Sequence, residues 1–360
     1  MLGPRDLRLF GLCTLATVAA AVTDVVDAGR VVPFVVSAAA LALLASLVGH
    51  AVDALGDRLG AGATGVLQSA LGNLPELFVC IFALRAGLYD VVRAALVGSV
   101  LANVLLILGL AFVVGGLKHG TQRFGAGRAR TISLLLVLSI AAWLIPSLTA
   151  ALHTPAADHE TPLSVITAIL LLVLFALSIP ASIARSDDEG TASDPAAEAA
   201  AAQVEHVTQW PLWFAVVVLT VAAVSAAFVS DWFVAALTPA MDAVHISQAF
   251  AGLVVVAIAG NAVENVVGIQ LAARNQADYA LSVILQSPLQ IALVLAPVLV
   301  LVAPLVGATF TLVLSPLLVV ALVLSVVITV LVVNDGESDW LEGAALLVLY
   351  GLIATAFWWG

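Results

Sequence analysis

Charged residues are scarce in this sequence of 360 residues. Asp, Glu, Lys and Arg together make up 10% of the chain, whereas 63% is hydrophobic and the mean hydropathy is +1.18. A soluble domain could not keep such a surface hydrated, so a soluble protein is excluded. The apolar runs are continuous rather than alternating. This pattern favours membrane-spanning helices of about 20 residues each over the strands of a membrane barrel.

Several residue patterns that carry chemistry in other proteins are missing as well. The two cysteines, Cys13 and Cys80, lie inside apolar runs, which indicates packing rather than a disulfide or a metal site. The six histidines show no metal-ligand spacing, and the sequence has no Walker-type phosphate loop for a nucleotide-driven pump. Lys and Arg total only twelve, which offers little for binding nucleic acid. We therefore predict neither an enzyme nor a resident cofactor.

The apolar runs divide the chain into eleven predicted spans. They cover residues 8–26, 31–52, 62–86, 91–116, 131–150, 163–183, 210–236, 247–273, 278–303, 306–333 and 340–358. We therefore predict an all-α, polytopic membrane protein. Its predicted parts are an extra N-terminal helix (1–28), a first transmembrane repeat (29–183), an acidic cytoplasmic linker (184–209) and a second transmembrane repeat (210–360).

The distribution of Lys and Arg between alternate loops predicts the orientation. With the N-terminus inside, nine basic residues lie on the cytoplasmic side and three on the other. Because basic loops tend to stay in the cytoplasm, we predict a cytoplasmic N-terminus and an external C-terminus. The chain has one Lys against eleven Arg, which is typical of a GC-rich prokaryotic source. The expected location is thus the prokaryotic cytoplasmic membrane.

The longest polar stretch is the acidic linker at 184–209, which is rich in Ala, Asp and Glu. This composition is typical of a solvated spacer between two helix bundles. The alternative is a segment that attracts cations to a transport mouth, although loosely spaced carboxylates bind Ca²⁺ weakly.

A short motif occurs twice. GNLPE ends at Glu76 and GNAVE ends at Glu264, 188 residues later. At the same offset two loop aspartates match, and Ser99 matches Ser287. These matched features without a gap indicate a duplicated unit of five helices. Because five is odd, the second copy enters the membrane from the opposite side. Inverted repeats are typical of secondary transporters, which bind substrate near the midplane between the halves.

The two glutamates are the costliest residues in the predicted spans. Glu76 and Glu264 lie mid-span, where a carboxylate costs at least ~2.5 kcal/mol on insertion scales. Each comes four residues after a glycine, Gly72 or Gly260, which permits the helix to unwind. An unwound turn exposes carbonyl oxygens beside the carboxylate. The pattern therefore predicts an oxygen site for a hard cation such as Ca²⁺.

Further oxygen atoms lie on the facing spans. Ser99 and Asn103 are four residues apart on one helical face, and Ser287 and Gln290 are three apart in the second copy. Pro288, beside Ser287, predicts a second distorted turn. The alternative for any one of these polar residues is that it only joins helices by hydrogen bonds.

Charge balance predicts how the site works. Two carboxylates neutralise one divalent cation. When the site is empty, two like charges would remain close together in low dielectric, so protonation is favoured. The same pair can then hold a cation or protons but not both, which is the minimum requirement for an antiporter.

Two further acids, Asp53 and Asp231, occupy comparable places in the two repeats. Asp53 lies at the inner end of the second predicted span and Asp231 at the outer end of the seventh. We expect either that they relay protons or cations to the site as gating residues, or that they are charges at helix ends.

The motifs resemble those of the calcium/proton antiporter family, within the calcium/cation antiporter superfamily. The resemblance is carried by GNLPELFVCIFALRAG with ALVGSVLANVLLILGLAFVVGG, by GNAVENVVGIQLAARNQADYALSVILQSPLQIALVLAPVLVL, and by the C-terminal NDGESDWLEGAALLVLYGLIATAFW. It covers most of the chain from about residue 45. It implies export or sequestration of Ca²⁺ driven by a proton gradient, with Ca²⁺ and H⁺ as the transported partners in a lipid bilayer. It also implies cation binding by Glu76, Glu264, Asn73, Asn261, Ser99, Ser287, Asn103 and Gln290, and supports Asp53 and Asp231 as gating residues.

The chain departs from the family pattern after the second glutamate. Asn265 stands where the family commonly has a histidine, which removes a group that titrates near neutrality. A Na⁺/Ca²⁺ exchanger of the same fold and a Ca²⁺-binding cation channel are the alternative functions. The sequence leaves the oligomeric state open, and a homo-oligomer is compatible with it.

Overall fold

The computed structural model describes residues 3–26, 28–59, 71–189 and 210–359, most of which are helical. The helices are α1 (Pro4–Val25), α2 (Val32–Leu59), α3 (Leu74–Arg85), α4 (Tyr89–His119), α5 (Ala126–Ala151), α6 (Glu160–Glu189), α7 (Leu212–Val244), α8 (Gln248–Gly260), α9 (Ala262–Ala273), α10 (Ala277–Val306), α11 (Pro316–Val333) and α12 (Trp340–Trp358). Two short strands, β1 (Gln122–Arg123) and β2 (Glu337–Ser338), pair antiparallel.

The all-α, polytopic fold class is confirmed. Within the described residues, nine helices are long and apolar enough to cross a membrane. Two of the eleven predicted spans are not among them. The span predicted at 62–86 lies partly outside the described residues, and the span predicted at 247–273 is divided between α8 and α9 at Asn261. The count of eleven therefore stays a prediction.

The core of the molecule is formed by α4 and α10. In the most apolar stretch of α4, 78% of the residues are buried, against 11% in α1 and 22% in α12. A helix that is apolar all round and buried belongs to the interior of a bundle, whereas a helix with exposed Leu and Val faces lipid. The centre of the fold thus consists of the helices that carry Ser99, Asn103 and Ser287.

Helix α4 crosses α8 at unusually short range. A Cβ atom added at Gly98 would collide with the backbone of Leu253, and one added at Gly252 would collide with the carbonyl oxygen of Val91. Small residues let membrane helices approach closely and gain dispersion contacts. The two glycines therefore fix how near α8 lies to α4.

The connections fall into two sets, one at each end of the bundle. At one end β1 pairs with β2, and the backbone N–H of Gly125 donates to Asp278. At the other end the N–H of Ser247 donates to Trp358 O at 3.2 Å, and Arg93 donates to Thr311 at 3.4 Å. This grouping agrees with the predicted alternation of the loops. Which end faces the cytoplasm stays a prediction from the basic residues.

The tenth predicted span, 306–333, begins too early. Residues 308–315 form neither helix nor strand, and the helix begins only at Pro316. This backbone can lie inside the protein because serine side chains replace its missing helical bonds. The N–H groups donate to serine hydroxyls, and a carbonyl oxygen accepts from one. Ser164 Oγ accepts from Leu312 N at 3.1 Å, while Ser147 Oγ donates to Leu312 O at 3.0 Å and accepts from Leu314 N at 3.0 Å.

Two smaller predictions concern a helix break and a helix end. Pro288 leaves its helix continuous, and the distortion predicted beside it comes after Gln290, where the backbone widens into a π-helical segment, Ile291–Leu295. The first residues of the predicted linker, 184–189, are still helical, because α6 continues to Glu189. The bounds of the linker stay a prediction. The rest of the predicted linker, 190–209, lies outside the described residues.

Candidate functional site

Glu76 is buried at the start of α3. The helix begins at Leu74 after a turn at 72–73, where Asn73 has φ −93° and ψ 17°. Pro75 lies in the first helical turn, where its missing N–H has no helical partner, so it helps the helix begin. Glu76 is 1% exposed and lies near the positive end of the helix dipole. The predicted break at Gly72–Asn73 is thus observed.

The Glu76 carboxylate is joined to the second half of the chain by hydrogen bonds. Ser99 Oγ donates to Glu76 Oε1. Asn261 Nδ2 in turn donates to Ser99 Oγ at 3.0 Å, and Ser287 Oγ donates to Asn261 Oδ1 at 3.1 Å. Ser99 and Asn261 are fully buried and Ser287 is 4% exposed. Four of the predicted site residues therefore form one continuous polar network in the core.

Asn103 extends this network. Its Nδ2 donates to Ser99 O at 2.9 Å and to Ser287 Oγ at 3.3 Å. Its Oδ1 is buried and, among the described residues, has no hydrogen-bond partner. A buried amide oxygen without a donor carries a desolvation cost that a bound cation would offset.

Two further predicted residues form a separate contact. Asn73 Nδ2 donates to Gln290 Oε1 at 3.4 Å, linking the break before α3 to the end of the regular part of α10. A small cavity adjoins Glu76 and is lined by residues of α2, α3, α7 and α8, among them Leu41, Phe233 and Gly260. Gly260 lies directly against the Glu76 side chain, within ordinary van der Waals range of an added methyl group.

The other predicted site residues, Glu264, Asp53 and Asp231, are not part of the described network. The side chain of Glu264 lies outside the described residues, although its backbone belongs to the first turn of α9, as that of Glu76 belongs to the first turn of α3. Asp53 and Asp231 are not at helix ends as predicted, because α2 continues to Leu59 and α7 to Val244. Asp53 is half-buried and Asp231 is exposed. Their gating role stays a prediction.

The two cysteines agree with their predicted packing role, since Cys13 and Cys80 are both free and buried. Sequence reasoning missed two residues that contact this region. Trp143 Nε1 donates to Ala292 O at 3.1 Å, and Thr329 Oγ1 donates to Val104 O at 3.1 Å. A tryptophan in mid-span rather than at the membrane interface was the available signal for the first. Nothing in the sequence marked Thr329 in the same way.

The donor set favours a hard cation. Over the described part of the chain, no group of three or more His, Cys, Asp and Glu side chains could hold a metal ion. The network instead offers carboxylate, amide and hydroxyl oxygens from Glu76, Asn103, Ser99 and Ser287. Oxygen ligands of this kind suit Ca²⁺ or a similar ion, and they are poor ligands for softer transition metals.

Comparisons with known proteins agree with this chemistry. Residues 30–184 and 214–359 match the family described as sodium/calcium exchanger protein. A Ca²⁺/H⁺ antiporter of Synechocystis sp. is 33% identical over 341 residues, covering 91% of each chain. The Ca²⁺/H⁺ antiporter ChaA of Bacillus subtilis is 33% identical over 325 residues, covering 90% of this chain and 91% of its own. The solved structure of native YfkE superposes with a TM-score of 0.81 at 31% identity, covering 97% of this chain and 99% of that one.

Proposed function

The chain belongs to the sodium/calcium exchanger family, as an integral membrane protein related to Ca²⁺/H⁺ antiporters, and on this basis we propose that it exchanges Ca²⁺ for H⁺ across its membrane. Its relatives are transporters, not enzymes. The observation that carries the proposal is the buried Glu76 carboxylate within a network of amide and hydroxyl groups from α4, α10 and the α8–α9 break. Ca²⁺ is a transported substrate, and no resident cofactor is part of the mechanism.

Glu264 is the second carboxylate of the proposed site. Its backbone occupies the position that corresponds to Glu76, three residues after an asparagine at a helix break. Two carboxylates would balance the charge of one Ca²⁺, and the oxygen atoms of Asn103, Ser99 and Ser287 would complete the shell toward the usual 6–8 ligands. Asn73, Asn261, Gln290, Gly72 and Gly260 support the site from the two breaks.

Competition between Ca²⁺ and protons is the proposed basis of coupling. A cation bound between two carboxylates excludes their protons, and the empty pair in a low-dielectric core favours binding protons. The protein would therefore change between its inward-open and outward-open states only when the site holds Ca²⁺ or is protonated.

Asp53 on α2 and Asp231 on α7 are proposed as residues that control access to the site. Phe34 and Phe233, also on these two helices, stack at 4.9 Å.

An inverted repeat would supply the alternating access that this exchange needs. The helix bounds coincide at an offset of 188 residues, since α3 spans Leu74–Arg85 and α9 spans Ala262–Ala273. The next residues agree too, because Gly87 and Asn275 both have positive φ, 75° and 62°. These matches support the proposed repeats 29–183 and 210–360, which would rock about the site between them.

Direct Ca²⁺ binding tests the proposed site. We expect purified protein in detergent to bind ⁴⁵Ca²⁺ in equilibrium dialysis, with binding lost at acid pH and in both Glu76→Gln and Glu264→Gln. Asp158→Asn is the matched control, because Asp158 is exposed in the short turn Pro155–His159. Wild-type affinity in either glutamine variant, with the control also unchanged, would rule out this pair of carboxylates as the site.

A further inference from the structure

The structure describes three π-helical segments, and two of them, one in α4 and one in α10, lie beside the proposed site. The first of these two is Ala102–Ile107 in α4. Leu108 N–H bonds to Asn103 O, five residues back instead of four. When the backbone returns to α-helical bonding, the next carbonyl, that of Val104, is the one passed over. Thr329 Oγ1, from α11, lies 3.1 Å from this carbonyl oxygen and 2.8 Å from Ser325 O in its own helix, so its one proton is shared between the two acceptors.

The second segment, Ile291–Leu295 in α10, is built in the same way. The N–H of Ala296 bonds to the carbonyl of the first residue of the segment, again five residues back. The carbonyl that follows is that of Ala292. Pro297 has no N–H to offer to the carbonyls behind it. Trp143 Nε1, from α5, donates to Ala292 O at 3.1 Å.

The two capped carbonyls occupy corresponding places. Val104 and Ala292 are separated by the same 188 residues as Glu76 and Glu264. The donors cross between the halves of the chain. A residue of α5 caps the segment in α10, and a residue of α11 caps the segment in α4. Two independent packing accidents would not choose the same carbonyl of each segment.

The bonds are sealed from solvent. Trp143 and Thr329 are each 1% exposed, and Val104 and Ala292 are fully buried. Water cannot replace either donor, so removing one leaves a buried carbonyl unsatisfied. The segment could then regain its bonds only by shifting from π-helical to α-helical register.

That shift would reach the proposed site. Asn103 lies inside the first segment and donates to Ser287 Oγ, which comes four residues before the second segment. Moving one residue into or out of a helical turn rotates the side chains on its two sides by about 100° relative to each other. We propose that Trp143 and Thr329 are positioning residues that hold the π-helical register and thereby keep Asn103 and Ser287 facing Glu76. This inference rests on the proposed function, because it concerns the same site.

The variants that test it remove single donors. Trp143→Phe removes the indole N–H, and Thr329→Val removes the hydroxyl at nearly constant shape. Thr329 Oγ1 also lies 2.8 Å from Ser325 O in its own helix, so Thr355→Val is the matched control, since Thr355 Oγ1 makes the same kind of bond to Gly351 O at 2.7 Å. Thr329→Ser keeps the hydroxyl and should restore the wild-type behaviour.

The first readout is Ca²⁺ uptake into proteoliposomes under a pH gradient. We expect the half-saturating Ca²⁺ concentration to rise about fivefold in Trp143→Phe and in Thr329→Val, because losing the free energy of one hydrogen bond weakens binding by about this factor. The maximal rate should change less, and Thr329→Ser and Thr355→Val should match the wild type. Wild-type half-saturation in both donor variants would overturn the proposal. Should Trp143→Phe not fold, Thr329→Val decides alone.

The second readout does not need transport and so separates this inference from the proposed function. In hydrogen–deuterium exchange, peptides covering residues 102–108 should exchange faster in Thr329→Val, and peptides covering 291–296 faster in Trp143→Phe. Unchanged exchange in these peptides would overturn the positioning role, even where the wild type exchanges Ca²⁺ for protons. Absent Ca²⁺ uptake by the wild type with faster exchange in the variants would overturn the proposed function alone.

Discussion

The hydrogen bond that reaches the Glu76 carboxylate comes from a residue that the opposite half of the chain holds in place. Ser99 Oγ donates to Glu76 Oε1 and accepts from Asn261 Nδ2 at 3.0 Å. A hydrogen bond to a charged group contributes about 1.5–3 kcal/mol, more than a bond between neutral groups. Removing the Ser99 hydroxyl is thus the smallest change that would disturb the Glu76 carboxylate without removing its charge.

Ser99→Ala tests this link at the level of one residue. We expect it to weaken Ca²⁺ binding at least tenfold, because the carboxylate loses a charge-assisted bond and Asn261 loses an acceptor. Equilibrium dialysis with ⁴⁵Ca²⁺ measures the change. Ser325→Ala is the control, since Ser325 is equally buried and bonds to Ala321 O in its own helix at 2.6 Å. An unchanged affinity in Ser99→Ala would contradict the assigned geometry.

The sequence located Ser99 and Ser287 because the duplicated motif fixes their spacing from each glutamate. It could not locate Trp143 or Thr329 in the same way. Their bonds join residues 149 and 225 positions apart, so they depend on how whole helices pack. A tryptophan or threonine in an apolar span is compatible with many such packings, and only one of them places its donor at a π-helical carbonyl.

At the scale of elements, the close crossing of α4 and α8 rests on Gly98. We expect Gly98→Ala to lower the unfolding temperature and to reduce the yield of monodisperse protein in detergent, because the new methyl group would collide with the backbone of Leu253. Size-exclusion fluorescence after heating measures both. Gly351→Ala is the control, because an added Cβ there has nothing within 4 Å. Equal stability of the two variants would mean that α4 and α8 lie farther apart.

The non-helical segment 308–315 offers a second prediction at this scale. Ser147→Ala should destabilise the protein by about 1–3 kcal/mol, because Leu312 O and Leu314 N lose their partner in a buried setting. The same heating measurement applies. Ser139→Ala, on the same helix, removes only a bond to Leu135 O within α5 among the described contacts, and should cost much less. A larger loss in Ser139→Ala would refute the role given to Ser147.

This segment also shows where span prediction fails. The last predicted span, 340–358, matches α12 at both ends. At its N-terminus Asp339 caps the helix by accepting hydrogen bonds from the N–H groups of Leu341 and Glu342. Residues 308–315 are apolar like a span. The signal that α11 starts later is Ser315 followed by Pro316, its N-cap and first residue, which hydropathy does not register. The non-helical form of the segment depends on serines supplied by α5 and α6, so hydropathy alone could not separate it from α11.

At the scale of the whole molecule, the loops at one end should share one side of the membrane. Lys118, in the last turn of α4, and Asp335, in the loop before β2, adjoin the paired strands, and both residues are exposed. His153 is exposed in a loop of the predicted opposite set. In a background with Cys13 and Cys80 replaced, we expect Lys118→Cys and Asp335→Cys to react with an impermeant maleimide only in permeabilised cells, and His153→Cys to react in intact cells. Labelling of Lys118→Cys and Asp335→Cys from different sides would refute the arrangement.

Coupling of Ca²⁺ transport to protons is a property of the whole molecule rather than of any one residue. The fold is shared with the solved sodium-calcium exchanger NCX_Mj, with a TM-score of 0.55 at 19% identity, so the fold alone does not choose the coupling ion. Two relatives that are 33% identical to this chain and cover at least nine tenths of it carry the name Ca²⁺/H⁺ antiporter.

The most direct measurement is Ca²⁺ uptake into proteoliposomes under either an imposed pH gradient or an imposed Na⁺ gradient. We expect uptake to follow the pH gradient, to be independent of the Na⁺ gradient and to disappear in Glu76→Gln, while Asp158→Asn transports normally. Uptake that follows the Na⁺ gradient and ignores pH would contradict this expectation.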